Sequence, residues 1–127
     1  MPFLITTTRT FSAAHQLRLY DGSIEPIHGH NWRVEVTVSA AQLDAIGVVM
    51  DFHELERLLD EIIQPMHNRH LNELPMFARL NPSAENVAKY FYDEVTRLLR
   101  TLPPGAHVTD VILWETDTSR AQYRPGA

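Results

Sequence analysis

The sequence predicts an α+β fold in which an antiparallel four-stranded sheet is covered on one face by two helices, in the order ββααββ. Alternating apolar residues mark strands near both ends of the chain, and two segments between them have a helical period. Strands and helices are therefore segregated along the chain rather than interleaved, which is typical of the α+β class. The 127 residues suffice for one hydrophobic core and show no repeat or linker, so we expect a single domain over residues 1–127.

The first two strands are predicted to form a hairpin. Residues 3–15 are rich in Thr, Ile and Phe, and Phe11, Ala13 and His15 share one parity, so His15 is expected to face inward. Residues 31–38 alternate strictly, and their apolar face consists of Trp32, Val34, Val36 and Val38.

Two amphipathic helices are predicted next. The segment 51–66 begins with Asp51 and Glu54 in the spacing of a capping box. The segment 83–101 follows Asn81-Pro82-Ser83, which is a helix start signal. Their apolar stripes are Leu55, Leu58, Leu59, Ile62, Ile63 and Met66, and Ala84, Val87, Ala88, Phe91, Val95, Leu98 and Leu99.

Two further strands complete the predicted sheet. Val111 and Leu113 alternate with Asp110, Ile112 and Trp114 in the third strand, and residues 120–124 form a short fourth strand. An open sheet of this size has two free edges and one partly uncovered face, so we expect the protein to form an oligomer.

Composition excludes several classes of function. The chain has no Cys, which excludes disulfides, thiolate zinc sites and cysteine nucleophiles. Its net charge of -5 comes without any basic block, so we expect no nucleic-acid partner and no anionic membrane partner. No apolar run approaches the ~20 residues of a membrane span, and the start lacks the pattern of a secretory signal. We therefore expect a cytoplasmic protein.

The seven His residues are the most informative feature. His28 and His30 lie at i and i+2, so their imidazoles point to one face of the second strand, and a hairpin brings His15 to the same end. Three His without a fourth protein ligand are typical of a catalytic zinc site. The alternative is a set of polar loop histidines, because an H-x-H pair has a chance expectation of about 0.3 in such a chain.

Several motifs, in order and spacing, resemble those of the 6-pyruvoyltetrahydropterin synthase and 6-carboxytetrahydropterin synthase family. The resemblance spans nearly the whole chain, and its most specific part is the combination of F-x-A-x-H with H-G-H. The motifs are F-S-A-A-H (11–15), H-G-H-N-W (28–32), V-V-M-D-F (48–52), N-P-S-A-E-N-V-A-K (81–89) and W-E-T (114–116).

This resemblance implies a T-fold (tunnelling fold), trimers that pair into a homo-hexamer, one Zn²⁺ per subunit and a reduced pterin triphosphate as substrate. It assigns His15, His28 and His30 as the zinc ligands and Glu115 as the residue that anchors the pterin ring. Glu115 shares the parity of Val111 and Leu113 and so ends an apolar face. A carboxylate there can accept two parallel hydrogen bonds from an aminopyrimidinone edge. The alternative for Glu115 is a solvated charge at a strand end.

The sequence also departs from the family. The synthases carry a catalytic cysteine where this chain has Ile24, and His67 and Asn68 replace their Asp-His pair. Glu25, in E-P-I-H-G-H, resembles a branch of the family in which glutamate stands in for cysteine. Members of that branch cleave the side chain of 7,8-dihydroneopterin triphosphate to 6-hydroxymethyl-7,8-dihydropterin, a folate precursor.

These residues lead to several hypotheses. In the first, Glu25 is the general base of a zinc-dependent retro-aldol cleavage, His67 is a second proton carrier, and Arg69 and His70 contact the substrate phosphates. The alternative for these last histidines is ordinary capping of a helix C-terminus. The other functions that remain open are a 6-carboxy- or 6-pyruvoyl-tetrahydropterin synthase, a non-catalytic pterin-binding homologue, and a small α+β protein with incidental histidines.

Overall fold

Two long strands form the centre of the sheet in the computed structural model, which describes residues 3–126. Strand β1 spans Phe3–His15 and β2 spans His28–Ala40. They pair antiparallel in continuous register, from Phe3 opposite Ala40 to His15 opposite His28. The second strand is therefore longer at both ends than the predicted 31–38. Its first residues, H-G-H, pair with the end of β1, and its last residues pair with the start of β1.

Helix α1 spans Phe52–Ile63, and Asp51 caps it by accepting a hydrogen bond from the His53 amide at 2.8 Å. The Glu54 carboxylate accepts two hydrogen bonds from the Arg57 guanidinium, at 2.8 and 3.1 Å, in place of the reciprocal half of the predicted capping box. The helix ends three residues before the predicted limit, and Met66 is buried in the turn that follows.

A two-residue strand, β3 (Arg69–His70), follows that turn and pairs parallel with Ala13 and Ala14 of β1. Asn68 adopts a left-handed backbone conformation, with φ of 59°, and its amide donates to the Ser12 carbonyl at 2.6 Å. The predicted count of four strands was therefore wrong, because a two-residue strand is too short to leave a periodic pattern in the sequence.

After two short 3₁₀ turns, α2 spans Ala84–Leu99, β4 spans His107–Trp114 and β5 spans Arg120–Tyr123. The sheet order is β3-β1-β2-β4-β5, and every pair except β3 with β1 is antiparallel. The predicted α+β class is confirmed. Neither helix within residues 3–126 has the length and apolar character that a membrane crossing requires.

The core lies between the sheet and the two helices, and Trp32 is at its centre. Trp32 is fully buried, stacks on Phe11 at 6.1 Å between ring centroids, and donates its indole N–H to the Ala13 carbonyl at 3.1 Å. The remaining large buried side chains come from the predicted faces, including Val34, Val36, Leu55, Leu58, Leu59, Val87, Phe91, Val95, Val111 and Leu113. This packing fixes the ends of β1 and β2, where the histidines lie.

Candidate functional site

The register of the β1–β2 hairpin brings three imidazoles together. His15 lies opposite His28, and His30 lies opposite Ala13, so all three side chains leave the same face of the hairpin. The ring centroids are 4.6 Å apart for His15 and His28, 5.1 Å for His15 and His30, and 4.9 Å for His28 and His30. Trp32 contacts two of the rings, at 4.9 and 5.3 Å, and forms the floor of the cluster.

Backbone carbonyls fix the orientation of two of these rings. His15 Nδ1 donates to the Pro82 carbonyl at 2.7 Å, and His28 Nδ1 donates to the Pro26 carbonyl at 2.9 Å. A carbonyl oxygen can only accept, so Nδ1 carries a proton in both rings, and in the neutral imidazole Nε2 then presents a lone pair. Metal-binding histidines are commonly oriented by this kind of second hydrogen bond.

Glu115, just beyond the end of β4, completes the cluster. Its Oε1 lies 3.1 Å from His15 Nε2 and 3.4 Å from His30 Nε2, and one ligand atom from each of the four residues lies within 4.8 Å of the others. At His15 two lone-pair atoms therefore face each other, an arrangement that a shared cation or proton stabilises. Burial lowers the pKa of His30, against the opposing effect of the Glu115 carboxylate, and so favours the neutral ring.

The donor set fits a metal ion. The Nε2 atoms of His15 and His30 are buried and have no hydrogen-bond partner among the described residues. Buried polar atoms without partners are costly, and a coordinated ion would satisfy both nitrogens. Three imidazole nitrogens are a sufficient protein ligand set for zinc and suit the neighbouring transition metals.

Glu25 lies beside this cluster and is about one quarter exposed. Its Oε1 is 4.0 Å from His28 Nε2 and accepts a hydrogen bond from the Leu17 amide at 2.9 Å. The loop between β1 and β2 turns back on itself through the paired residues Arg18 and Ile24, which carries Glu25 to the end of the hairpin. The structure thus brings Glu25 and the four cluster residues together.

The other predicted site residues lie apart from the cluster. His67 is exposed and its Nδ1 accepts a hydrogen bond from the Ser12 amide at 3.1 Å. Arg69 and His70 line a shallow depression with Gly29 and the last residues of β1, and no histidine of the cluster belongs to its lining. His70 Nδ1 is 3.4 Å from Glu73 Oε1, and its buried Nε2 has no partner among the described residues.

Sequence reasoning missed one contributor to the site, the carbonyl group of Pro82. The Asn81-Pro82-Ser83 segment was interpreted only as a helix start, and Ser83 does cap α2 by accepting a hydrogen bond from the Asn86 amide at 3.2 Å. The same loop also places the buried Pro82 carbonyl against His15. No side-chain pattern identifies a backbone acceptor, so the sequence contains no signal for this contact.

Comparison with known proteins relates the chain to a family of pterin enzymes. The family model for 6-pyruvoyl tetrahydropterin synthase matches residues 4–126. The chain is 34% identical to the 6-pyruvoyl tetrahydrobiopterin synthase of Pongo abelii, over 91% of this chain and 86% of that protein. It is 33% identical to the 6-carboxy-5,6,7,8-tetrahydropterin synthase of Synechocystis, over 90% and 87%. It is also 30% identical to the dihydroneopterin monophosphate aldolase of Pyrococcus furiosus, over 84% of this chain and 83% of that protein.

Solved structures show the same T-fold. The 6-pyruvoyl tetrahydropterin synthase of Caenorhabditis elegans superposes with a TM-score of 0.82 at 21% identity, over 98% of this chain and 96% of that one. A 6-pyruvoyltetrahydropterin synthase variant of Plasmodium vivax, in which a catalytic glutamate is replaced by alanine, superposes with a TM-score of 0.70 at 15% identity, over 95% and 97%. At these low sequence identities, both similarities are evidence for the fold alone.

Proposed function

Because the chain belongs to the 6-pyruvoyl tetrahydropterin synthase family, we propose that it is a zinc-dependent lyase that acts on 7,8-dihydroneopterin triphosphate. The proposed reaction is retro-aldol cleavage of the side chain to 6-hydroxymethyl-7,8-dihydropterin. The observation that carries the proposal is the Glu25 carboxylate, 4.0 Å from the nearest imidazole nitrogen of the cluster, in a chain that has no Cys.

His15, His28 and His30 would hold the metal through their Nε2 atoms. Bound there, zinc supplies Lewis-acid chemistry that lowers the pKa of coordinated hydroxyl groups. Glu115 would anchor the pterin ring, since one carboxylate can accept two hydrogen bonds from an aminopyrimidinone edge. The position of Glu115 against two of the imidazoles would keep the ring next to the metal.

Glu25 would act as the general base. The Leu17 amide holds its Oε1 at 2.9 Å, which leaves Oε2 to accept the proton of the substrate 2′-hydroxyl. As C2′–O⁻ becomes an aldehyde, the C1′–C2′ bond breaks and its electron pair moves into the pterin imine. Glu25 then returns the proton to C1′, so that the products are the hydroxymethyl pterin and a two-carbon phosphorylated aldehyde.

His67, Arg69 and His70 have secondary roles in this proposal. Arg69 is exposed and is the cation of the depression beside Gly29, so it would contact phosphate oxygens of a substrate that extends around the hairpin. His70 also lines this depression and would contact the same group. His67 lies in the turn after α1 and could carry a proton only for a substrate that extends to that turn. Glu25 lies beside the imidazole cluster, so we assign the return of the proton to Glu25.

Two of the similar proteins support this reaction. The Pyrococcus relative is an aldolase of a dihydroneopterin phosphate, and the Plasmodium vivax neighbour uses a glutamate as a catalytic residue. The second candidate function is a 6-carboxy- or 6-pyruvoyl-tetrahydropterin synthase, which the names of the Synechocystis and Pongo relatives favour. Against it stands the absence of Cys, because Ile24 cannot transfer a proton.

We also propose that the protein assembles as a homo-hexamer, a dimer of trimers. Its sheet ends in short edge strands, two residues in β3 and four in β5, whose outer hydrogen-bonding groups can pair with a second copy. The face opposite the helices exposes Thr6, Thr8 and Thr10. Light scattering during size-exclusion chromatography tests this: a mass of six chains supports the proposal, and a monomer refutes it.

The reaction is tested by incubating the metal-loaded protein with 7,8-dihydroneopterin triphosphate and, separately, with the monophosphate. Products are identified by mass spectrometry and pterin fluorescence, and the metal is measured in the same sample. We expect about one zinc per chain and 6-hydroxymethyl-7,8-dihydropterin from wild-type protein. Glu25→Gln should lower kcat by a factor of 10²–10⁴, the typical contribution of a general base, with unchanged metal content.

Glu85→Gln is a matched control, because Glu85 is an exposed glutamate on α2. Its kcat should equal that of wild type. A carboxy- or pyruvoyl-pterin product would establish the second candidate function instead. Zinc and tight pterin binding without any product would identify a non-catalytic binding protein, and full activity in Glu25→Gln would refute the assignment of the base.

A further inference from the structure

Two asparagine side chains hold the segment that follows His15. Asn72, in the 3₁₀ turn after β3, contacts Gln16 in two ways. Its Oδ1 accepts a hydrogen bond from the Gln16 amide at 3.0 Å, and its Nδ2 donates to the Gln16 carbonyl at 2.8 Å. A side-chain amide that both donates to and accepts from one residue satisfies the backbone as a neighbouring strand would.

Asn81, in the loop before α2, makes the same pair of contacts two residues farther along. Its Oδ1 accepts from the Arg18 amide at 2.9 Å, and its Nδ2 donates to the Arg18 carbonyl at 3.1 Å. Asn86 Nδ2 donates to the Asn81 carbonyl at 2.9 Å, which fixes the loop that carries this side chain. Both asparagines are half-buried, so neither contact is a solvated surface contact.

The residue between the two clamped positions is Leu17, which holds Glu25. The Leu17 amide donates to Glu25 Oε1 at 2.9 Å, and the Glu25 amide donates back to the Leu17 carbonyl at 3.0 Å. Gln16 Nε2 adds a third contact, to the Glu25 carbonyl at 2.9 Å. Three consecutive amides, from Gln16 to Arg18, are thus each bound by a side-chain oxygen.

We propose that Asn72 and Asn81 are positioning residues for Glu25: they hold residues 16–18 so that the Leu17 amide binds one carboxylate oxygen and leaves the other free. Neither asparagine belongs to the group of four residues that could hold a metal. The inference rests on the proposed function of Glu25 as the base. It assigns to these side chains an effect on the chemical step rather than on substrate binding.

The expected effect is a loss of kcat with little change in KM. Without either clamp the Leu17 amide is free to shift, and a displacement of about 1 Å at a reacting group can cost about 10²-fold in rate. We expect Asn72→Ala and Asn81→Ala each to lower kcat by about tenfold to a hundredfold, with KM within about threefold of wild type. Asn81→Asp keeps the acceptor for the Arg18 amide and should have an intermediate kcat.

The test has a readout that does not depend on activity. Hydrogen exchange at the amides of residues 16–18 is measured in the metal-loaded full chain, together with zinc content and melting temperature. We expect faster exchange at Leu17 in both alanine variants and one zinc per chain in each. Gln122→Ala is the matched control, because Gln122 also donates one side-chain hydrogen bond, to Asp110 at 2.8 Å, on β5.

The outcomes separate this inference from the proposed function. A lower kcat with faster Leu17 exchange and retained zinc supports it. Wild-type kcat in both alanine variants refutes it, and so does a loss of activity that only parallels a loss of zinc or of melting temperature. If wild-type protein does not turn over the pterin substrate, the proposed function fails. Hydrogen exchange at Leu17 that is as slow in both alanine variants as in wild type then refutes the positioning role of the two asparagines as well.

Discussion

Removal of the proposed zinc ion should lower the thermal stability of the protein, and His15 is the residue that tests this most directly. The His15 side chain is only 2% exposed, and its Nε2 faces the Glu115 carboxylate at 3.1 Å. Without an ion, two buried ring nitrogens, of His15 and His30, lack a partner among the described residues. Zinc that binds these nitrogens binds the folded state only, because the unfolded chain does not bring the three histidines together. Its binding therefore stabilises the folded state by mass action.

The size of the effect follows from chain length. Free zinc at a hundredfold its dissociation constant stabilises the folded state by about 2.7 kcal/mol. The unfolding entropy of about 2.1 cal/mol/K per residue, applied to this chain, is about 0.27 kcal/mol/K. The melting temperature should therefore rise by about 10 °C when zinc is added to chelator-treated protein.

The assay is differential scanning calorimetry of chelator-treated protein, with and without added zinc. Wild-type protein should show the rise in melting temperature. His15→Gln should show less than a third of it, because loss of one of three imidazole ligands raises the dissociation constant for zinc and so removes most of the stabilisation at the same zinc concentration. His53→Gln is the control, since its side chain is 90% exposed and lies on α1. An equal rise in all three proteins, or none in wild type, would refute the metal site.

Three further substitutions test the packing that supports the site. Gly29→Ala should change stability by less than about 0.5 kcal/mol and leave zinc content unchanged, because a Cβ there meets only the Ala13 carbonyl, at 3.7 Å; a loss of zinc would show that the glycine is required. Asp51→Ala should cost about 1 kcal/mol in urea unfolding through loss of the helix cap, and an unchanged midpoint would contradict that role. Trp32→Phe should cost about 1–3 kcal/mol, since it leaves the buried Ala13 carbonyl without its indole donor; near-neutral stability in calorimetry would show that water replaces it.

Most of the fold could be predicted because its elements are long and periodic. The strict alternation around Trp32 and the helical stripe from Leu55 to Ile63 each recur often enough to identify an element and its buried face. The boundaries were less predictable, and α1 ends at Ile63 rather than Met66. The strand Arg69–His70 was missed, because its formation depends on Asn68 and the edge of β1 rather than on a pattern of its own.

Much of the candidate site could also be predicted. The parity of His28 and His30 and the hairpin with His15 follow from strand geometry and chain order alone. Gly29, between the two histidines, has ordinary van der Waals space for a Cβ, so the structure gives no steric reason for a glycine there. No contact joins His67, Arg69 or His70 to the three imidazoles among the described residues, and their predicted roles as proton carrier and phosphate contacts stay predictions.

The sequence by itself determined the α+β class, the faces of the long elements and the residue types gathered at the end of the hairpin, because these depend on local periodicity and adjacent strands. Only the tertiary structure decided which groups meet across long separations. The Pro82 carbonyl reaches His15, and Asn72 and Asn81 reach the segment that carries Glu25 into place. Such contacts join residues more than fifty positions apart, and their geometry depends on how the helices and loops pack on the sheet.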